Sequence, residues 1–186
     1  MGRLLKSLRQ MDEFAFYSLF RCTRWCRDSR IALWISRSGD GPYYAALAGL
    51  LIAVAVEGST LFLHRALIGF AIELPLYWWL KNTLRRARPT LEPMSLRPFI
   101  TPADKFSLPS GHSAAAFLFA GIAAASFPTW AMAFYMWASL VALSRVALGV
   151  HYPSDIVAGA ALDSGLAYFT LQLPIGPAAV EQLPVM

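Results

Sequence analysis

The sequence predicts an all-α membrane protein: a polytopic bundle of five transmembrane helices with an amphipathic, interfacial segment at its N-terminus. The first observation behind this prediction is composition, because 57% of the 186 residues are hydrophobic and only 15% are charged. A soluble domain carries about 25% charged residues. The second is a series of five apolar stretches, none of them much beyond the length of about 20 residues that a membrane-spanning helix needs, so short or tilted helices are expected. Backbone in lipid must satisfy its own hydrogen bonds, so these stretches are predicted to be helical.

Residues 1–40 are predicted to form a basic amphipathic segment that lies on the bilayer. Eight basic residues and three acidic ones precede Gly39. Aromatic side chains such as Phe14 and Trp25 alternate with the arginines, which favours an anionic lipid surface rather than nucleic acid as the partner. A sixth crossing of the membrane by residues 13–36 is the alternative.

Residues 41–175 are predicted to hold the transmembrane domain, and residues 176–186 are a C-terminal tail. Five prolines between residues 89 and 109 exclude a continuous helix there, so this stretch is predicted to be a loop outside the bilayer. The predicted spans run from about 42 to 57, from 60 to 81, from Ser110 to the turn at Phe127, from 129 to 148, and from Ser154 or Asp155 to about Leu173.

Polar motifs interrupt the apolar pattern at three places. The 31 residues between His112 and Ser144 are enough for two short helices of roughly 25 Å each, so the chain returns to the face that His112 left. Asp155 then begins the fifth span on that same face. Ionisable residues at membrane depth usually mark a functional site. We therefore expect one site, built from Lys81–Pro89, Pro109–His112 and Ser144–Asp155.

Three cations in these motifs suit a phosphate group. Arginine presents a planar fork that binds two phosphate oxygens at once, and lysine adds a point charge. Lys81, Arg88 and Arg145 come from three different segments that are predicted to converge, which favours phosphate binding over simple membrane anchoring. Arg85 and Arg86 are instead expected to reach the lipid head groups from the end of their helix.

The remaining polar residues suit acid–base and nucleophilic chemistry. The start of a helix binds anions through its free N–H groups, where Gly111 allows close approach and the Ser110 hydroxyl can donate to a phosphoryl oxygen. His112 has no capping role, so a chemical role is favoured. A histidine that attacks phosphorus must be neutral at the attacking nitrogen, and Asp155 is placed to fix the tautomer of His151. Capping the fifth span is the alternative role of Asp155.

In this order and spacing the motifs resemble the phosphatidic acid phosphatase type 2 superfamily, whose pattern is K-x6-RP, PSGH and SR-x5-H-x3-D. Lys81 and Arg88-Pro89 match the first motif, residues 109–112 the second and residues 144–155 the third. Three motifs in order are far more specific than one short match. The resemblance covers residues 81–155, and the N-terminal segment lies outside it.

The resemblance implies a lipid phosphatase that uses neither a metal nor another cofactor. His151 would attack phosphorus and form a phosphohistidine, Asp155 would orient it, and His112 would protonate the leaving oxygen before water releases phosphate. The substrate would be a lipid phosphate or diphosphate, such as undecaprenyl diphosphate, phosphatidate or phosphatidylglycerol phosphate. The phosphoryl oxygens would be held by Lys81, Arg88, Ser110, Gly111 and Arg145.

Two other functions are compatible with the same residues. A lipid phosphotransferase would pass the phosphoryl group to an acceptor lipid, and a lipid-binding or lipid-translocating protein would keep the fold without catalysis. The expected location is a bacterial inner membrane. The N-terminal arginines favour the cytoplasmic face for the site, whereas many bacterial relatives place it outside, so both faces stay open. The oligomeric state is open as well.

Overall fold

In a computed structural model, the described part of the chain (residues 2–28, 30–90, 98–102 and 104–175) folds into α-helices joined by loops and one 3₁₀ turn at Pro128–Trp130. The predicted tail 176–186 and residues 91–97 of the predicted loop lie outside the described residues. The helices are α1 Gly2–Cys22, α2 Arg24–Asp28, α3 Ile31–Ser38, α4 Gly41–Ala53, α5 Ser59–Leu84, α6 Gly111–Ser126, α7 Ala131–Ala147 and α8 Pro153–Gln172.

Each of the five predicted spans overlaps one of the helices α4 to α8, and the described chain is helical, so the all-α prediction is confirmed. Within the described chain, two segments are long and apolar enough to cross a membrane, Ser59–Leu84 and Pro128–Ala147. At 13 and 16 residues, α4 and α6 extend only roughly 20 and 24 Å, less than the hydrocarbon thickness of about 30 Å. The count of five spans therefore stays a prediction.

Helix α6 lies at the centre of the bundle, where it packs against α5, α7 and α8. Small residues permit this close packing. At Gly159 of α8, a Cβ atom would stand 2.6 Å from the carbonyl oxygen of Ser110 and 3.2 Å from the backbone nitrogen of Ala114. Glycine at this position lets α8 approach the first turn of α6. As a result, the Ser110 amide donates a hydrogen bond of 3.1 Å to the carbonyl oxygen of Asp155, which joins two of the motifs.

The starts and ends of α5 and α8 place further motif residues beside α6. Helix α5 continues through Pro75 and ends at Leu84, and the next residue, Arg85, adopts the left-handed conformation with φ of 47°. Helix α8 begins with Pro153 in its first turn, and the Asp155 side chain accepts a hydrogen bond of 2.9 Å from the Tyr152 amide. Asp155 therefore does cap this helix, and its second carboxylate oxygen is left for other partners.

The N-terminal segment packs against the bundle instead of lying apart from it. Helix α1 contacts α7 and α8, and α3 contacts α7. Phe16 and Phe20 are buried on one face of α1, while Phe14 on the opposite face is exposed, so the predicted amphipathic division is present. The alternative of a sixth crossing has no continuous helix to support it, because residues 13–36 are divided among α1, α2 and α3.

Candidate active site

The three motifs meet around one polar cavity of about 230 Å³ at the ends of α5, α6 and α7. Six of the eight predicted site residues line it, and the other two, Ser110 and Asp155, are fully buried behind its wall. Residues that the sequence did not single out complete the lining, among them acidic and hydroxyl side chains. The lining residues with polar side chains are Ser36, Arg37, Asp40, Tyr77, Lys81, Arg88, Thr101, Asp104, His112, Arg145 and His151.

His151 lies between a carboxylate and a guanidinium group. Its Nδ1 atom is 3.6 Å from Oδ2 of Asp155, and its Nε2 atom is 3.3 Å from Nη1 of Arg88. Arg88 is fixed in turn by a hydrogen bond of 2.7 Å to the carbonyl oxygen of Val150. One ring nitrogen therefore faces the carboxylate, and the other faces a cation at the cavity.

The surroundings keep the His151 ring neutral. Burial lowers the pKa of His151 most strongly, and the nearby positive charges of Arg88 and Arg145 lower it further, while Asp155 acts in the opposite direction. The result is a pKa of about 4 for His151. A free histidine has a pKa of about 6.5, so at pH 7 this imidazole carries no charge and has a lone pair available.

Two of the predicted phosphate-binding cations share a carboxylate on the loop before α6. Oδ2 of Asp104 accepts hydrogen bonds from Lys81 Nζ at 2.7 Å and from the Tyr77 hydroxyl at 2.8 Å. Its other oxygen forms an ion pair with Arg88. Burial alone would raise the pKa of Asp104, but the bonds from Lys81 and Tyr77 and the charge of Arg88 outweigh burial and hold the pKa below its usual range. Asp104 is therefore ionised and occupies an anion-binding position.

His112 and Arg145 each reach toward the segment around α3. Nε2 of His112 lies 2.8 Å from Oδ1 of Asp40, and Nη1 of Arg145 donates a hydrogen bond of 2.5 Å to the hydroxyl of Ser36. The Arg145 guanidinium is buried, and its Nε–H has no hydrogen-bond partner within the described residues. Ser36 and Asp40 of the N-terminal segment thus contribute to the lining of the cavity, which the sequence did not predict.

At the start of α6, the Ser110 side chain does not take the position that the sequence predicted. The Ser110 hydroxyl does not reach the cavity: it is fully buried and accepts a hydrogen bond of 3.0 Å from the Ser113 hydroxyl. Gly111 does line the cavity, and a Cβ atom there would stand 2.9 Å from the ring and hydroxyl of Tyr77. The glycine therefore makes room for the tyrosine that binds Asp104.

Arg86 corrects the sequence prediction. It was expected to reach lipid, and this is wrong, because its guanidinium donates to Asp155 Oδ1 at 2.8 Å and forms an ion pair with Asp12. Arg85 is exposed, and its Nε donates to the carbonyl oxygen of Asn82. Arg86 and Arg88 are two residues apart in a non-helical stretch, a spacing that allows both side chains to point to the same side. This spacing is the feature of the sequence from which the position of Arg86 at the site could have been predicted.

A larger and mostly apolar groove of about 490 Å³ opens beside the polar cavity, between α4, α5 and α6. The two share five lining residues, Asp40, Tyr77, Asp104, Gly111 and His112. Leu67 and Leu74 line the groove and are exposed at the surface of the bundle. The polar cavity is therefore continuous with an apolar path that reaches the outer surface of α5.

No cluster of three or more His, Cys, Asp or Glu side chains arranged to hold a metal ion occurs in the described ranges. The basic and hydroxyl groups of the cavity are donors, which suit an anion.

Comparison with known proteins identifies the family. The model of the PAP2 superfamily matches residues 62–175, which include all three motifs. The chain belongs to the PAP2 superfamily. The PAP2 region begins in α5 and extends just beyond α8.

Two curated proteins resemble part of this PAP2 chain. The lipid A 1-phosphatase of Rhizobium etli is 37% identical over 95 residues, covering 49% of this chain and 41% of that protein. The lipid A 1-phosphatase of Rhizobium johnstonii is 36% identical over 95 residues, covering 49% and 39%. The match thus spans less than half the length of these curated relatives.

Two crystal structures share the PAP2 fold. The transmembrane PAP2-type phosphatidylglycerolphosphate phosphatase of Bacillus subtilis has a TM-score of 0.64 at 22% identity, covering 89% of this chain and 85% of that one. LpxE of Aquifex aeolicus has a TM-score of 0.69 at 22% identity, covering 84% and 94%. At this identity the likeness supports the fold, and the function is argued from the site.

Proposed function

We propose that the chain is an integral membrane lipid phosphatase of a bacterial membrane, which removes phosphate from a lipid phosphomonoester or diphosphate through a phosphohistidine. One observation carries the proposal: His151 lies between Asp155 and Arg88 in a cationic cavity that continues into an apolar groove. Binding alone needs the cations but not a neutral, carboxylate-paired histidine.

In the first step, Nε2 of His151 attacks phosphorus while Nδ1 shares its proton with Asp155. The bond between phosphorus and the lipid oxygen breaks, and a protonated His112 gives its proton to that oxygen. In the second step, water attacks the phosphohistidine, neutral His112 accepts a proton from it, and His151 is regenerated as phosphate leaves. Asp40, whose Oδ1 lies 2.8 Å from Nε2 of His112, would hold the His112 ring in place for both proton transfers.

The cations would stabilise the charge that develops on the phosphoryl oxygens. Arg88 already lies 3.3 Å from the attacking nitrogen, and the unpaired Nε–H of Arg145 is a donor available in the described site. Lys81 would contribute after its carboxylate partner is displaced. Gly111 would donate its backbone N–H, and Ser110 would need to rotate its buried hydroxyl toward the cavity.

The apolar groove supports a lipid as the substrate. A phosphate in the polar cavity would place the attached chain among the apolar side chains of α4, α5 and α6. The names of the relatives add lipid A to the substrates that the sequence suggested, which were isoprenyl diphosphates, phosphatidate and phosphatidylglycerol phosphate.

The test is phosphate release by the purified full chain in detergent, with a panel of these four lipids and an excess of chelator. We expect release from at least one lipid, undiminished by the chelator, because the proposed chemistry uses only groups of the protein and water. A water-soluble monoester such as glycerol phosphate should react far more slowly. Activity that disappears with chelator and returns with a divalent ion would contradict the proposal, and release that requires an acceptor lipid would favour the phosphotransferase.

The pH dependence of kcat/KM provides a further prediction. The groups that face His151 are Arg88, Arg145 and Asp155, and together with burial they set its pKa to about 4. Below that pH the ring is protonated and cannot attack; above it the ring is neutral. We therefore expect the acidic limb of the profile near pH 4, measured on a substrate whose own ionisation is determined separately. An acidic limb near pH 6.5, the value of an ordinary histidine, would contradict this environment.

A further inference from the structure

Helix α1 lies outside the three motifs and outside the matched PAP2 region, yet one of its side chains touches the residues behind the site. Oδ1 of Asp12 accepts a hydrogen bond of 3.0 Å from the Ser154 amide, and Oδ2 accepts one of 2.5 Å from the Ser154 hydroxyl. Asp12 also forms an ion pair with Arg86, and its side chain is only 11% exposed. A single carboxylate on α1 therefore binds both the start of α8 and the stretch between α5 and α6.

Arg86 connects Asp12 to the carboxylate beside His151. Its Nη2 atom faces Asp12, and its Nη1 atom donates 2.8 Å to Oδ1 of Asp155. The flat face of the guanidinium stacks over the Tyr152 ring, 4.3 Å from the centroid. Because the guanidinium of Arg86 forms hydrogen bonds on two edges and stacks on one face, its orientation is fixed. In this orientation it binds Oδ1 of Asp155. This leaves Oδ2 directed at the Tyr152 amide and at His151 Nδ1.

The position of α1 is fixed by apolar packing as well as by Asp12. Phe16, one helical turn after Asp12, is fully buried, and its ring lies 5.5 Å from the Tyr152 ring in an edge-to-face arrangement. Phe16 and Tyr152 belong to one apolar cluster with residues of α7 and α8. The removal of the Asp12 charge alone is therefore not expected to detach α1.

We propose that Asp12 is a positioning residue: acting through Arg86, it holds the carboxylate of Asp155 in the orientation that keeps His151 ready to attack phosphorus. This inference rests on the proposed function. Without the Asp12 carboxylate, Arg86 has one strong acceptor, and both of its edges are drawn toward Asp155. Oδ2 then turns from His151 toward the guanidinium, and the ring loses the group that sets its tautomer.

The expected effect falls on turnover, because Asp12 does not line the cavity or the groove. Residues that orient a metal-binding side chain from behind typically contribute 10- to 100-fold, and we take this range as the guide for a residue that orients a nucleophile. For Asp12→Asn, which keeps the size of the side chain, we expect kcat to fall by about 10- to 30-fold with KM within about twofold of the wild type. Asp12→Glu keeps the charge and should recover part of the loss.

The matched control is Glu13→Gln. Glu13 is the next residue on the same helix, and it pairs at 2.9 Å with Arg9; the Glu13 side chain is 35% exposed and that of Arg9 is 74% exposed. The substitution makes the same charge change, so it should leave kcat within about twofold, since exposed ion pairs contribute little.

A double-mutant cycle tests whether Asp12 acts through Arg86. Arg86→Gln alone should lower kcat at least as much as Asp12→Asn, and Asp12→Asn should add less than about twofold in the Arg86→Gln background, because coupled residues are not additive. Independent, additive losses would overturn the inference. A wild-type kcat in the Asp12→Asn protein would also overturn it. So would a rapid-quench burst showing that Asp12→Asn only reduces the number of active molecules, while the turnover of each active molecule is unchanged. Absence of phosphate release by the wild type on every lipid would overturn the proposed function and this inference together.

Discussion

Replacement of His151 by glutamine is expected to lower kcat for phosphate release by at least about 10⁴-fold, because it removes the nitrogen proposed to attack phosphorus. Glutamine keeps a polar side chain of similar length and cannot form the phosphohistidine. The change lies at the wall of a cavity, so the protein should fold, and its thermal unfolding in detergent should resemble that of the wild type. Phosphate release is measured on the lipid that the wild type turns over fastest.

The chain provides a close control for this substitution. It contains three histidines, and His64 is exposed on α5, seventeen residues before Lys81. His64→Gln makes the same chemical change on a separate face and should leave kcat within about twofold. After an acid-free quench with a substrate labelled in its phosphate, the wild type should carry label on protein and His151→Gln should carry none. Normal turnover by His151→Gln would show that another residue is the nucleophile.

Replacement of Asp155 by asparagine is expected to lower kcat by about 100- to 1,000-fold. Oδ1 of Asp155 accepts from Arg86, and Oδ2 accepts from the Tyr152 amide and faces His151 Nδ1. Every one of these neighbours can act as a donor, so either orientation of the new amide places its NH₂ group against a donor. If that group faces the histidine, Nδ1 becomes an acceptor and the proton moves to Nε2, the nitrogen that is proposed to attack phosphorus.

The variant Asp163→Asn is the control that distinguishes a specific effect of Asp155→Asn from a general loss of stability. Asp163 is also fully buried on α8, eight residues or roughly 12 Å further along the helix, and it does not line either cavity. The control should change kcat by no more than about threefold. Equal losses in the two variants would mean that Asp155 acts by stabilising α8 rather than by orienting His151.

The convergence of the three motifs could be predicted because it depends only on chain length and helix geometry. Thirty-one residues make a hairpin of two short helices, and the structure places His112 and Arg145 on one cavity. The histidine–aspartate pair was predictable because Asp155 lies in the first turn of the fifth span and only a short turn, stiffened by Pro153, separates it from His151. The count of membrane spans depends on helix lengths, which apolar composition does not determine.

The site residues that the sequence did not predict make contacts with residues far away in the chain, and local sequence patterns do not indicate such contacts. Asp104 meets Lys81 across 23 residues, and Asp40 meets His112 across 72 residues. Arg86 was assigned to lipid because it follows an apolar helix, but the left-handed conformation at Arg85 turns the chain and directs Arg86 inward. The amphipathic pattern of α1 indicated a buried face without indicating that this face covers the start of α8.

The carboxylate of Asp104 affects how much negative charge a ligand needs in order to bind at the site. Lys81 and Arg88 already share this one carboxylate, which offsets one of their two positive charges, so a phosphate must compete with it for the same cations. A phosphodiester carries a single negative charge and gains little by the exchange. A terminal phosphate carries close to two, and replaces one charge with nearly twice as much on the same guanidinium and ammonium groups. We therefore expect phosphodiester lipids to compete poorly for a site that a terminal phosphate can enter.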